Sequence, residues 1–430
     1  MDNVDTIFAL SSGALPAAIA VIRISGDQAF DAVIALTESL PPPRKASLRI
    51  LSDQSGVVLD QALVLIFPGP NTATGDDLAE LHLHGGRAVV RGVESALEAM
   101  PGLRRAEPGE FTRRAFLNGR IDLNEAEGLA DLLAAETEWQ RRAATQMAGG
   151  AFSKAIESWR DDLLGLSGTV EALLDFSDED DVSPQQNNNI LDRCNELHDA
   201  IARHLAIPGA QMLRDGLRVV IAGPPNSGKS TLFNALVARE AAIVSDIAGT
   251  TRDLIDVPVA FDGIPFILTD TAGLRDETDD VIEGVGIERA EAAIVAADML
   301  LWLGPEGAGP VHVNSREVEA KADDPQHQTK SAAALKLSAK TNQGLGPLIE
   351  WMTATAQTLL PPLDSFAINA RQEALLSNVV RSLTEAARAT DLLLTAEELR
   401  QARLALDALT GRASTEDMLD SLFGRFCIGK

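Results

Sequence analysis

At 430 residues the chain is long enough for two or three domains, each with its own core. Hydrophobic residues at 45% and charged residues at 23% place it among ordinary globular proteins, and its two cysteines, Cys194 and Cys427, exclude a disulfide framework and point to a reducing cytoplasm. A formal net charge of −26 excludes a general nucleic-acid coat, whose affinity comes from neutralising phosphates, so DNA is not an expected partner.

The first ten residues, MDNVDTIFAL, carry acids where a secretory signal carries bases. No apolar run approaches the roughly 18–20 residues of a membrane span, so no membrane partner is expected. Residues 18–25 (AIAVIRIS), 62–67 (ALVLIF) and 78–85 (LAELHLHG) read as strands separated by proline-rich loops at 41–43 and 67–70. His82 and His84 alternate onto one strand face. Two histidines without a third ligand read as packing or hydrogen-bonding groups rather than a metal site. Residues 101–120 gather Arg104, Arg105, Arg113, Arg114 and Arg120 against Glu107 and Glu110, which fits either a local RNA-binding patch or a solvated surface of helix-stabilising pairs.

From about 121 to 205 the pattern is helical, with Leu123, Leu129, Leu132 and Leu133 at helical spacing. Cys194 falls in a polar part of this stretch and carries no evident role. Ser183-Pro184-Gln185-Gln186 reads as a capped helix start, and SDEDD (177–181) and QQNNN (185–189) as loop or helix ends. Residues 216–357 alternate strands and helices, the mark of a parallel α/β sheet. After Pro361-Pro362 helix returns, with a second capping box at Thr395-Ala396-Glu397-Glu398 and a stop near Gly411. The expected architecture is multidomain: an α/β domain at 1–118, then a helical domain split into 119–215 and 358–430 by an inserted α/β domain at 216–357.

The inserted segment carries the strongest motif. Gly223-Pro224-Pro225-Asn226-Ser227-Gly228-Lys229-Ser230, followed by Thr231, matches G-x-x-x-x-G-K-[ST] between an apolar strand and an amphipathic helix. Backbone N–H groups would wrap phosphates, Lys229 would reach the β- and γ-phosphates, and Ser230 would hold Mg²⁺. Asp270-Thr271-Ala272-Gly273 ends a later strand, bringing Asp270 towards the metal and Gly273 towards the γ-phosphate. Thr250 and Thr251 supply hydroxyls in the intervening loop. This combination points to GTP and GDP rather than ATP. The base-reading segment is Ala320-Lys321-Ala322-Asp323, in which Asp323 can accept from guanine and Lys321 can cover the ring, whereas Ala320 lacks the hydrogen bond of an asparagine. The alternative is a turn without that role. Ser338-Ala339-Lys340 would complete the base pocket. Leu274 stands where small signalling GTPases carry a glutamine that orients water, leaving the acidic segment 276–283 to supply a substitute.

DTIFAL, VIRISG, LHGG, PGEFTRRAFLNGRIDLNEAEGLADLL, GPPNSGKST, AGTTRD, DTAGLR, GIERA and FCIGK together resemble the MnmE (TrmE) family of tRNA modification GTPases over almost the whole chain. The resemblance implies an N-terminal dimerisation and tetrahydrofolate-binding domain, a split helical domain and an inserted GTPase domain. It implies K⁺ in place of an arginine finger, held by Asn226, Ser245, the Ile247 carbonyl and Thr250, with Thr251 beside Ser230 on Mg²⁺. Glu283 would act on water. The folate, in a 5-formyl or methylene form, would meet Arg23, Glu80, Arg120 and Lys430; for Arg23 and Glu80 the alternative is a structural ion pair. The implied partners are tRNA, a second copy of the chain, and an MnmG-like flavoprotein that carries FAD and completes a heterotetramer. Together they would modify C5 of a wobble uridine. Cys427, on a helical C-terminus beside Lys430, would be either a nucleophile of lowered pKa or a small buried hydrophobe in a docking plug. A ribosome-assembly or stress-response GTPase switch is the competing reading.

Overall fold

The computed structural model describes residues 5–175, 184–207, 210–239, 255–271, 290–327, 329–331, 335–362, 365–413, 416–424 and 426–429. The chain divides into two compact units, residues 1–130 with 407–430, and residues 131–406. No helix among the described residues is long and apolar enough to cross a membrane.

In the first unit β1 (Thr6–Leu10), β2 (Ile19–Ser25), α1 (Ala29–Thr37), β3 (Ser47–Ser52), β4 (Val58–Phe67), β5 (Leu78–His84), α2 (Arg87–Glu98) and β6 (Leu103–Arg105) precede α3 (Glu110–Leu117) and the start of α4 (Leu123–Ala134). The six strands run in the order β3-β4-β5-β2-β1-β6. All pair antiparallel except β1 with β6. Alternation along β5 buries Leu81 and Leu83 and turns Glu80, His82 and His84 to the other face. The buried face packs under α1 and α2, where Ile22, Ile24, Val64 and Ile66 meet Val33, Leu36, Val93 and Leu97.

The second unit holds α5 (Glu138–Ala148), α6 (Ala151–Asp175), α7 (Pro184–Leu205) and α8 (Ala210–Asp215) before its sheet. There follow β7 (Leu217–Ala222), α9 (Lys229–Arg239), β8 (Ile255–Phe261), β9 (Ile264–Asp270), α10 (residues 290–295), β10 (Met299–Trp302), β11 (Ser315–Glu319), β12 (Leu335–Lys336), α11 (Leu345–Leu359), α12 (Ala370–Arg388) and most of α13 (Leu392–Thr410). The last helix, α14 (Glu416–Phe423), belongs to the first unit. The second sheet runs β12-β11-β10-β7-β9-β8. It is parallel apart from the β8–β9 hairpin. The apolar run at 219–222 suits a strand buried on both faces. Trp139 N–H donates to the Gly263 carbonyl at 3.2 Å and Gln140 Nε2 to the Arg214 carbonyl at 3.1 Å, tying the start of α5 to the sheet.

Local chemistry sets the helix starts. Thr137 with Gln140 and Asn369 with Gln372 form capping boxes at α5 and α12. The box expected at Thr395 is not used. Asp391 Oδ1 accepts from Leu393 N–H at 2.8 Å, so α13 begins at Leu392 and Thr395 lies inside it, its hydroxyl on the Asp391 carbonyl. A carboxylate one residue before the helix outcompetes the later hydroxyl. Ser183 lies outside the described residues, and Pro184 is the first residue of α7. Cys194 is not on a polar surface: it is 0% exposed, and burial pushes its thiol up to about 11.

Candidate functional site

Between β7 and α9 the chain makes a tight loop with Asn226 at φ 60° and Lys229 as the first helical residue. Lys229 is 6% exposed, and its ammonium donates to the Gly223 and Pro224 carbonyls, each at 3.0 Å. Ser227 Oγ is buried with no hydrogen-bond partner among the described residues, an orphaned polar atom inside a loop lined by backbone amides. Ser230 is exposed in the first turn of α9. Asp270 pairs in register with Ile221 of β7, so the end of β9 brings its carboxylate to the edge of the sheet from which the loop springs. Thr271 Oγ1 donates to the Ile221 carbonyl at 2.9 Å. A hydroxyl and a carboxylate are hard oxygen donors, and with phosphate oxygens they suit Mg²⁺. No group of three His, Cys, Asp or Glu residues able to hold a metal alone occurs among the described residues.

Beside this loop is a cavity of about 290 Å³ lined by Gly228, Thr231, Ala320, Lys321, Asp323 and Lys340 among others. Ala339 also lines it. Lys321 Nζ donates to the Asn226 carbonyl at 2.5 Å, crossing from one loop to the other. Ser338 is fully buried, and its hydroxyl donates to Asp323 Oδ1 at 2.6 Å. That bond, with help from Lys340 and His327, holds the Asp323 carboxyl below its ordinary pKa. The residues expected around phosphate and base therefore come together, although 95 residues separate Lys321 from Asn226. Ser245, Ile247, Thr250, Thr251, Ala272, Gly273 and Glu283 lie outside the described residues. The all-oxygen donor set expected for K⁺ is represented here by Asn226 alone.

Two residues of this region carry no motif. Glu319, the last residue of β11, is 5% exposed and accepts from Lys330 N–H at 2.9 Å, Lys336 Nζ at 2.9 Å and the His327 ring at 2.8 Å. These donors, the Lys330 amide first, hold its carboxyl at about 2. With Arg316 and Glu317 also in β11, the strand's sequence, SREVE, does not single out Glu319.

In the first unit Arg23 and Glu80 face each other across β2 and β5, with Arg23 Nη2 3.0 Å from Glu80 Oε1. His82 Nε2 meets the other carboxylate oxygen at 3.3 Å, and Arg23 lies 5.8 Å above the Phe111 ring. His84 pairs with Asp60 at 2.7 Å. In register, Arg23 also neighbours Ala9 of β1. One residue further along, Gly429 packs on the carbonyl of Leu10, where an added Cβ would lie 2.3 Å from the oxygen. The C-terminal tail is thus docked on the strand next to Arg23, and Ile428 bridges to Pro108. This tail is not helical: α14 stops at Phe423. Nor is Cys427 the plug. Phe426 is 5% exposed and packs with Phe423, Leu419, Leu123 and Ala126, whereas Cys427 is exposed. Lys430 lies outside the described residues, and Arg120 is exposed in the turn after α3.

The arginine-rich stretch resolves into ion pairs. Arg104 meets Glu110 and Asp5, Arg105 meets Glu94 and Glu98, Arg113 meets Glu416 and Asp420, and Arg114, 7% exposed, meets Glu110 and Asp76. Of the five, Arg120 alone has no carboxylate partner among the described residues. Four of the five tie β6 and α3 to neighbouring elements rather than forming a free basic patch.

A strand, a phosphate-type loop closing on a helix that starts with its lysine, and an adjoining loop bearing Lys321 and Asp323 define a GTPase of the P-loop class. Family comparison narrows this. Residues 6–120 match the model described as GTP-binding protein TrmE N-terminus, and residues 123–427 match the MnmE helical domain. The tRNA modification GTPase MnmE of Erythrobacter litoralis is 59% identical over 426 residues, covering 99% of this chain and 100% of that protein. That of Novosphingobium aromaticivorans is 56% identical over 435 residues, with 99% and 100% covered. The chain belongs to the MnmE family of tRNA modification GTPases. A crystal structure of Era in complex with MgGDPNP and 16S ribosomal RNA nucleotides is similar at 19% identity and a TM-score of 0.26, over 49% of this chain and 98% of that one, too distant to bear on function.

Proposed function

We propose that this chain hydrolyses GTP in the cytoplasm to drive modification of C5 of a tRNA wobble uridine, as a homodimer working with an MnmG-like flavoprotein that carries the FAD. Residues 1–118 are assigned to dimerisation and a reduced folate, 216–357 to GTP, and 119–215 with 358–430 to the split helical domain. The observation that carries this reading is the docking of the tail at Gly429 beside the strand that bears Arg23, in a chain that also builds a guanine-type pocket. A bare GTPase switch has no use for that tail.

At the nucleotide, Lys229 neutralises phosphate charge, Ser230 and Thr251 hold Mg²⁺, and Asp323 accepts from the base. Asn226, Ser245, the Ile247 carbonyl and Thr250 hold K⁺, and Glu283 orients the attacking water. When bound, the folate supplies a one-carbon unit. Arg23, Arg120 and Lys430 meet its carboxylates and formyl oxygen, and Glu80 accepts from its amino groups, with Cys427 exposed nearby as the candidate nucleophile. Mass spectrometry of wobble nucleosides from cells lacking this protein tests the reading. Loss of a C5 substituent, restored by the wild-type chain, is expected. Unchanged nucleosides would overturn it.

A further inference from the structure

The loop between β11 and β12 must hold Lys321 and Asp323 still, yet Ala320 has no side-chain hydrogen bond with which to anchor it. The anchor closes the first half of the loop back on the end of β11. His327 Nε2 faces Glu319 Oε1 at 2.8 Å and Nδ1 faces the Asp324 carbonyl at 2.6 Å. Both neighbours are acceptors. A neutral imidazole has one N–H and one lone pair and would set that lone pair against an oxygen; the imidazolium donates to both. Inside this closure Asp324 N–H donates to the Lys321 carbonyl at 2.8 Å and His327 N–H to the Asp324 carbonyl at 3.0 Å.

We propose that His327 and Glu319 are positioning residues for guanine recognition, an imidazolium–carboxylate clamp that closes residues 319–327 and keeps Lys321 and Asp323 in place where Ala320 cannot. This rests on reading Lys321 and Asp323 as the groups that meet the base.

The surrounding charges fix the pH dependence. His327 is met by Glu319 from β11, by Lys336 from β12, and by Asp323 and Asp324 from its own loop; Lys330 pairs with Glu317 and donates its backbone N–H to Glu319. The Glu319 hydrogen bond first, then the Asp324 carbonyl, hold the imidazole above its ordinary pKa against desolvation and the charge of Lys336. A raised pKa means that the clamp is complete below the ordinary histidine value and loosens as pH rises through the raised one. Glu319 stays ionised throughout that window.

Calorimetric titration of GDP and ADP into the full chain between about pH 6 and 9 tests this. For wild type, GDP affinity should fall as pH rises while ADP affinity does not. His327→Ala should weaken GDP binding about 3- to 10-fold at the acid end and abolish the pH dependence. His327→Gln, which keeps a neutral donor for Glu319, should recover part of that loss and remain insensitive to pH. Asp323→Ala checks the underlying reading. If it lowers GDP affinity while His327→Ala matches wild type in affinity and pH profile, the clamp is refuted alone. If Asp323→Ala binds GDP as wild type does, the base-pocket reading falls and the clamp with it. Should His327→Ala fail to fold, the wild-type pH profile and His327→Gln decide: a GDP affinity flat with pH in the wild type overturns the clamp.

Discussion

The two six-stranded sheets place their chemistry differently. The mostly parallel sheet has apolar side chains packed on both faces of its central strands, so its candidate groups gather at one edge, where strands end: Asp270 closes β9, and Lys229 and Asp323 follow β7 and β11. The largely antiparallel sheet buries one face against α1 and α2; its other face, covered in part where Ile7 and Ala9 meet Phe111, carries Arg23 and Glu80 on the strands themselves. A loop site can be rebuilt without disturbing the core. A strand-face site is bound to the register, because a slip of one residue would send Arg23 and Glu80 to the buried face.

That contrast governs what the sequence made legible. GPPNSGKS is contiguous and announces its loop, and short apolar runs, alternating in 78–85, mark β2, β4 and β5 to within four residues. Arg23 and Glu80 are 57 residues apart, and only family resemblance joined them before the structure did. Glu319 and His327 escaped altogether, because a carboxylate hub assembled from β11, β12 and a loop leaves no spacing rule. At the start of α13 two capping signals compete and Asp391 prevails over Thr395, and the polar neighbours of Cys194 in sequence conceal its burial.

The tail tests whether the sheet that bears Arg23 needs the C-terminus. Deleting residues 427–430 should abolish tRNA modification while leaving GTP turnover within about two-fold, since the second sheet has its own core. Because Cys427 is exposed, Cys427→Ala should be structurally silent, so loss of modification in that variant would assign chemistry to the thiol. Modification that survives the deletion, measured on wobble nucleosides, would detach the tail from the site.

A smaller effect is expected at Gly109, which sits at φ 70° with its α-carbon face against α14: a Cβ there would lie 2.2 Å from the Phe423 carbonyl. Gly109→Ala should cost about 1–3 kcal/mol in denaturant unfolding of the first unit, with no change in GDP affinity. An unaltered midpoint would show that α3 and α14 are not pressed together as described.

The smallest effect sharpens the reading of the arginine cluster. Burial alone would raise the Glu110 pKa, but hydrogen bonds from Arg104 and the Glu107 amide, with the charge of Arg114, hold it below the ordinary value. Its stabilisation is therefore present above the ordinary carboxylate pKa and is lost as pH falls through the lowered one. Glu110→Gln should lose about 1 kcal/mol near neutrality and show a shallower acid decline than wild type, measured by urea unfolding across pH. An identical acid decline in both proteins would mean that these arginines are not committed to ion pairs and remain open to RNA.

Whether one chain carries a guanine nucleotide on one sheet and a reduced folate on the other is decided most directly by calorimetry. GDP and 5-formyltetrahydrofolate would each be titrated into wild type, Lys229→Ala and Arg23→Ala. Wild type should bind both; Lys229→Ala should lose GDP affinity by about 10²-fold and keep the folate, and Arg23→Ala should do the reverse. No folate heat in the wild type, or an Arg23→Ala protein that binds folate as tightly as wild type, would contradict the account.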